Sequence, residues 1–518
     1  MTIRQAIKNL IEKAVKSLYK KEVKAIVEQP AIPDFGDYAS NIALVLKKNP
    51  QEIADNIKSP ILEKTEVKNG FINFFLAREY LQEQVGEILK QAEGFGQLKI
   101  GRGRRVQVEF ISANPTGPLT VGNARGGPFG DALVNVLKAA GFKVEKAYYI
   151  NDYGMQILGL GHSVLKDKEA QYKGDYIDYL NKRIHEKDAY KAGELAAKII
   201  IEEMVKKTTD RFGIRYDEWF SEKSLHQKAE VDKVLKILRK KGLIYEKEGA
   251  LWFKSKKFGD ERDRVMVKSD GSKTYLAGDI AYHRYKFEKK KFDKVINVWG
   301  ADHFGDVAGL QAGVAALGHK GKLDIVLLQF VTLVEKKEKI KMSKRKGIYI
   351  AMDELLDEIP SDVIRFLFLQ KSADTHLNLD LDLAKEQSEK NPVYYIQYAH
   401  ARICSILRKK ELSSLRSLAP CGESNSFKLL NHPSELALIK QLIRLPEIVE
   451  DIVKDYQVQR IPQYALDLAT IFHQFYRDCR VLAEDRLLRE ARLGLVLATK
   501  TVLKNTLDLM GISAPEKM

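Results

Sequence analysis

The chain has 518 residues, 45% hydrophobic and 30% charged, which fits a globular protein of roughly three domains and excludes a fibrous repeat or a disordered chain. A net charge of +16 favours a polyanionic partner, although charge alone does not separate nucleic acid from acidic lipid. Three cysteines, Cys404, Cys421 and Cys479, form no C-x-x-C pair, so a disulfide framework and cysteine-bound zinc are excluded and a cytoplasmic location is expected.

In chain order, Met1 to Lys21 mixes Lys13 and Lys16 with apolar residues at helical spacing and lacks the apolar core of a secretory signal. No later run reaches the roughly 20 apolar residues that span a bilayer, so no membrane residence is expected. Phe71 to Phe75 reads as a strand, and the glycine- and arginine-rich Gly101 to Arg105 reads as a domain boundary.

Val106 to Ile111 alternates with period two, a glycine-proline segment follows, and Ala132 to Ala140 has helical spacing ended by Gly141. This is a strand, loop, helix unit. Val144 to Ile150, Val295 to Trp299 and Ile325 to Val331 supply further strands of a parallel sheet, giving an α/β, Rossmann-like nucleotide-binding domain. Residues 161–247 turn charged and helical, as an insertion would. After Asn391-Pro392, a cap followed by proline at the first helical position, the chain reads as an all-α bundle. The expected domains are an α+β unit over 1–100, the catalytic unit over 101–375 and the helical unit over 376–518.

Two segments carry candidate chemistry. Asn114 to Gly127, containing Gly117, Pro118, Thr120, Gly122 and Asn123, precedes a helix whose free N–H groups suit phosphate. It is neither a Walker loop nor a G-x-G-x-x-G turn, and on its own an ordinary tight turn explains it as well. The second segment, Glu335 to Gly347, holds seven basic residues against two acidic ones and includes Lys341-Met342-Ser343-Lys344. A solvated charged hairpin is the bland alternative.

Lys341 to Lys344, about 220 residues beyond the first segment, resembles the clamp by which class I aminoacyl-tRNA synthetases hold a triphosphate. Glu109-Phe110-Ile111-Ser112-Ala113-Asn114-Pro115-Thr116-Gly117-Pro118-Leu119 is similar to the opening of the active site in bacterial-type arginyl-tRNA synthetases. Tyr149 to Gly154, Trp299 to His303, Asn391 to Arg402 and Ser513 to Met518 resemble further landmarks of that family, in its order and across nearly the whole chain.

The resemblance implies ATP-dependent activation of arginine and its transfer to tRNA(Arg), with Mg²⁺ accompanying ATP, no bound zinc, a monomer, and activation that waits for tRNA. It implies catalytic and ATP-binding roles for Thr120, Asn123, Lys341 and Lys344, with Gly117, Pro118, Gly122, Met342 and Ser343 around the nucleotide. Glu109, Asn114, Tyr275, Asp279 and His303 would bind arginine. In the helical end, Tyr394, Tyr395 and Tyr398 with Arg402, Arg408, Lys409 and Lys410 nearby suit base stacking and phosphate contact with tRNA, while core packing is the default reading of tyrosines at helical spacing. Without the resemblance, Tyr275 reads as a packed aromatic and Asp279 as a cap at a Gly278-Asp279 turn. Asp302, His303 and Asp306 could suggest a metal cluster, but no matching ligand pair stands elsewhere and none is expected.

One departure stands out: the family usually carries His-x-Gly-His, whereas this chain has Thr120-Val121-Gly122-Asn123. Threonine and asparagine donate hydrogen bonds but carry no positive charge, so the electrostatic work shifts to lysine. The same Thr-x-Gly-Asn form is similar to that of tryptophanyl-tRNA synthetases. Two rivals remain: a non-catalytic tRNA-binding paralogue, and a small-molecule nucleotidyltransferase, which would have little use for the helical end.

Overall fold

A computed structural model of the protein describes residues 1–340, 350–408 and 426–518. Lys341 to Lys344, Lys409, Lys410 and Cys421 lie outside the described residues.

The first helix, Ile3–Tyr19, starts where the Thr2 hydroxyl accepts the Gln5 N–H at 3.2 Å, and it buries one stripe of Ile3, Ile7, Ile11, Ala14 and Val15. Phe71–Leu76 is the middle strand of a three-stranded antiparallel sheet, between Tyr38–Ser40 and Leu62–Lys68. This unit docks on the helical end of the chain: Arg4 pairs with Glu447 at 3.3 Å, and the buried Tyr38 hydroxyl donates to Glu447 at 3.0 Å. Gly101 is no free linker. Its N–H donates to the Ala140 carbonyl at 2.8 Å, and a Cβ there would meet the backbone of Gly141 and Phe142 at 2.5 Å.

A five-stranded parallel sheet forms the centre, in the order Leu323–Leu328, Lys294–Gly300, Arg105–Glu109, Lys143–Ile150, Glu218–Ser221. The expected strands are present, and the parallel α/β fold is as anticipated. The fifth strand lies inside the stretch read as helical, so that insertion is interrupted by a return to the sheet, and Ile244–Lys247 begins a second, antiparallel sheet. Helix Gly126–Ala139 packs on the sheet closely enough that a Cβ at Gly130 would lie 2.2 Å from the Phe110 ring, which only glycine tolerates.

A smaller sheet places Val331–Glu335 between Leu377–Asp380, parallel to it, and Glu338–Ile340, its hairpin partner. The positive φ angles of Lys336 and Lys337, 50° and 66°, make this turn and bring the chain up to Lys341.

The helical end comprises Pro392–Arg408, Pro433–Leu442, Leu445–Asp455, Arg460–Asp478 and Arg486–Met510. Asn391 caps the first of these by accepting the Val393 N–H at 3.1 Å. The last helix is plugged into the catalytic unit, where buried Arg365 donates to the Met510 and Phe212 carbonyls at 3.0 Å and pairs with Asp131 of the Gly126–Ala139 helix. Among the described residues, no helix is long and apolar enough to cross a membrane.

Candidate active site

The C-terminal ends of the parallel strands open into a cavity of about 510 Å³, where ligands of open α/β sheets bind. Its walls include Glu109, Asn114, Thr120, Gly122, Asn123, Tyr275, Asp279 and His303, drawn from four separate stretches of sequence. Gly117 and Pro118 are not in the wall: Gly117 lies under the Tyr176 ring, whose hydroxyl donates to the Thr116 carbonyl at 2.9 Å, so these two shape the loop.

The loop is held in an uncommon conformation. Ile111 and Ser112 both have positive φ, 65° and 41°, and a β-branched residue there is strained. The Ser112 hydroxyl accepts the Tyr149 N–H at 3.0 Å, tying the turn to the neighbouring strand. Thr120 caps the short helix Val121–Ala124, and Leu119 to Val121 are joined to the chain that follows the lysine segment. The Met352 N–H donates to the Leu119 carbonyl at 2.8 Å and the Val121 N–H to the Ile350 carbonyl at 3.3 Å. Behind this turn the buried Arg125 guanidinium donates to the carbonyls of Ser372 and Thr375 at 3.0 Å, and to that of Gln329. The first candidate ATP segment is therefore tied to Ile350 and Met352.

The inner half of the cavity is acidic. Glu109 is buried and paired with Lys286 at 2.5 Å. Glu222 is buried with Oε2 unpartnered, its other oxygen lying 3.7 Å from His226. Asp279 is half-buried and, contrary to the capping alternative, lies within helix Tyr275–Arg284. Burial, followed by the nearby charges of Glu222, Glu109 and Asp306, holds the Asp279 carboxyl well above the usual carboxylate range. Burial and the same Glu222 and Asp279 push the Tyr149 hydroxyl well up.

Around these groups the Tyr149 and Tyr282 hydroxyls, Asn151 Oδ1 and Gln156 Oε1 are buried without a partner among the described residues, and all four side chains line the cavity. Buried acceptors left unpaired are costly, so a ligand rich in N–H donors is the expected occupant. A guanidinium offers five such donors and a positive charge.

Toward the mouth, His303 is exposed, 3.7 Å from Asp302 and 3.5 Å from Asp306, and tilted against Trp299. Among the described residues no group of three or more His, Cys, Asp or Glu side chains could hold a metal ion. In the helical end, Tyr398 is exposed with Arg402 beside its hydroxyl at 3.5 Å, and Arg402 also lies 5.0 Å over the Tyr476 ring. Tyr394 instead packs partly into the core.

Glu222, Tyr149, Asn151 and Gln156 are cavity groups that the sequence does not single out for this role, and Lys286 is the buried counter-ion of Glu109. The Tyr149 to Gly154 stretch was noticed as a family landmark, which was the available signal for Tyr149 and Asn151.

A parallel sheet whose strand ends meet a short capped turn, an acidic pocket and an appended helical bundle define a class I aminoacyl-tRNA synthetase architecture. Family models agree: "tRNA synthetases class I (R), catalytic domain" matches residues 84–187 and 167–377, "Arginyl tRNA synthetase N terminal domain" residues 2–76, and "DALR anticodon binding domain" residues 396–518. The chain belongs to the arginyl-tRNA synthetase family. Among its relatives, the arginine–tRNA ligase of Heliobacterium modesticaldum is 44% identical over 529 residues, covering 95% of this chain and 93% of that one. That of Bacillus subtilis is 40% identical and covers 100% and 98%. The solved arginyl-tRNA synthetase of Thermus thermophilus shares the fold at TM-score 0.79, with 23% identity and full coverage of both chains.

Proposed function

We propose that the acidic cavity is where this chain, an arginine–tRNA ligase by family, holds arginine while Mg²⁺–ATP activates it and tRNA(Arg) accepts it. The observation that carries this reading is the cluster of unpaired acceptors, Glu222 Oε2 and the Tyr149 hydroxyl among them, beside the Asp279 carboxyl. Asp279, Glu222 and Tyr275 take the guanidinium with Glu109, Asn114 takes the ammonium or carboxylate end, and His303 closes the amino-acid side.

The arginine carboxylate then attacks the α-phosphorus of ATP and pyrophosphate leaves. A ribose hydroxyl of the terminal adenosine attacks the resulting mixed anhydride, releasing AMP. Thr120, Gly122 and Asn123 face the nucleotide on a loop shaped by Gly117 and Pro118, and Lys341, Met342, Ser343 and Lys344 clamp the triphosphate. No covalent enzyme intermediate is needed: alignment of the reactants and donors aimed at developing charge supply the rate.

The three units 1–100, 101–375 and 376–518 serve tRNA elbow contact, catalysis and anticodon binding. Exposed Tyr398 and Arg402 offer base stacking and phosphate contact, whereas the packed position of Tyr394 weakens its claim to either. The enzyme acts as a cytoplasmic monomer.

The test is aminoacylation of purified tRNA by Glu222→Gln and Asp279→Asn variants. Each loses a charged acceptor for the guanidinium, so the arginine KM rises about tenfold or more, with ATP KM and tRNA affinity retained. An unchanged arginine KM in both variants would overturn the pocket reading.

A further inference from the structure

Lys286 belongs to none of the family landmarks. It lies just beyond helix Tyr275–Arg284, in a mostly basic run that continues through Lys289, Lys290 and Lys291, yet it is fully buried. Its ammonium donates to Glu109 Oε2 at 2.5 Å and to Asn297 Oδ1 at 3.3 Å, and lies 4.1 Å over the Tyr282 ring. The Asn297 amide donates to His283 Nε2 at 3.0 Å, and the opposite ring nitrogen of His283 donates to the Asp279 carbonyl at 2.7 Å. One hydrogen-bonded chain thus runs from the carboxylate of Glu109 to the backbone of Asp279, with Glu109, Asn297 and His283 lining the cavity and Lys286 buried behind it.

The groups facing Lys286 come from every neighbouring element. Glu109 comes from the central strand, Asp279, Tyr282 and His283 from the preceding helix, Glu218 from the edge strand and Asn297 from Lys294–Gly300. Burial lowers the Lys286 ammonium, opposed chiefly by Glu109, and burial together with Lys286 keeps His283 neutral.

We propose that Lys286 is a positioning residue for arginine: the fixed internal cation that holds the Glu109 carboxylate in place at the cavity wall. The inference rests on the arginine-pocket reading above. Deprived of Lys286, the Glu109 carboxylate loses its buried partner and its fixed orientation toward the ligand.

The experiment is aminoacylation by the full chain, comparing wild type, Lys286→Arg, Lys286→Met, Glu109→Gln and Lys286→Met/Glu109→Gln. Relative to wild type, Lys286→Met raises the arginine KM about tenfold while kcat falls about threefold or less, and Lys286→Arg, which keeps a cation beside Glu109, recovers most of that loss. ATP KM stays within about twofold, because the change acts on the amino acid alone. The double variant loses no more than Glu109→Gln alone, because Lys286 acts through Glu109.

An unchanged arginine KM in Lys286→Met, or a double variant that loses clearly more than Glu109→Gln alone, overturns the proposal. If Lys286→Met does not fold, the double variant is expected to fold, since neither charge is left unpaired. Failure of both, with Glu109→Gln folded and normal toward arginine, would make Lys286 a packing residue and overturn the proposal as well. Unchanged arginine kinetics in Glu222→Gln and Asp279→Asn would sink the pocket reading instead.

Discussion

The Thr120 hydroxyl donates to the Asn123 side-chain oxygen at 2.8 Å and accepts the Asn123 backbone N–H at 3.3 Å, so the two residues at the family's histidine positions are bonded to each other. Neither can carry an imidazolium charge, but the Thr120 hydroxyl holds the amide oxygen of Asn123, which lines the cavity and offers its N–H₂ as a neutral donor.

Thr120→Val removes both the cap and the bond that orients Asn123. Activation, measured as ATP–pyrophosphate exchange with tRNA present, should slow about tenfold, with arginine KM within about twofold, because the lost donor acts on phosphate. Thr120→Ser keeps the hydroxyl and should stay within about threefold of wild type. An equal loss in arginine affinity would assign Thr120 to the amino acid instead.

On the proposed reading, neutral donors on one side of the nucleotide leave the lysines of the second segment to supply the positive charge. The hairpin Val331–Glu335 to Glu338–Ile340 leads straight into Lys341, and Ile350 and Met352 on the far side are bonded to Val121 and Leu119. Lys344→Ala should therefore slow activation about a hundredfold while leaving arginine binding nearly intact. Pre-steady-state adenylate formation checks this, and comparable losses in rate and arginine affinity would contradict a transition-state role.

The parallel sheet was legible because its strands alternate or run apolar between turn residues, and the Asn391 cap was legible from residue type alone. Glu218–Ser221 was not. This four-residue edge strand sits among Arg215, Asp217, Glu222 and Lys223, so its polarity matched an outer helical layer, and missing it hid Glu222 as well. Lys286 was illegible for a different reason: its counter-ion Glu109 is 177 residues away, and only the fold shows which lysine of a charged run turns inward. The strain at Ile111 and Ser112 left no trace either, since neither residue type favours positive φ. The family motifs, by contrast, named Glu109, Tyr275 and Asp279, and these converge on one cavity.

The C-terminal tail gives a pH-dependent prediction. His400 is buried, its Nδ1–H donates to the Pro515 carbonyl at 2.9 Å, and its Nε2 has no partner among the described residues. Burial lowers its pKa from 6.5, reinforced by Lys500 and opposed by the Pro515 bond, and burial likewise lowers His283, His319 and His473. A histidine whose folded pKa lies below its unfolded value stabilises the fold above about pH 6.5, and that stability is lost as pH falls through the folded value. Each proton taken up only on unfolding weighs about 1.4 kcal/mol per pH unit. Denaturant unfolding at pH 7.5, 6.5 and 5.5 should show most of the fall in stability between pH 6.5 and 5.5. In His400→Gln, which keeps an N–H donor for Pro515 without a titrating ring, that acid loss should shrink by about 1 kcal/mol. An acid loss of the same size in the variant would mean that His400 takes up its proton in the folded protein too.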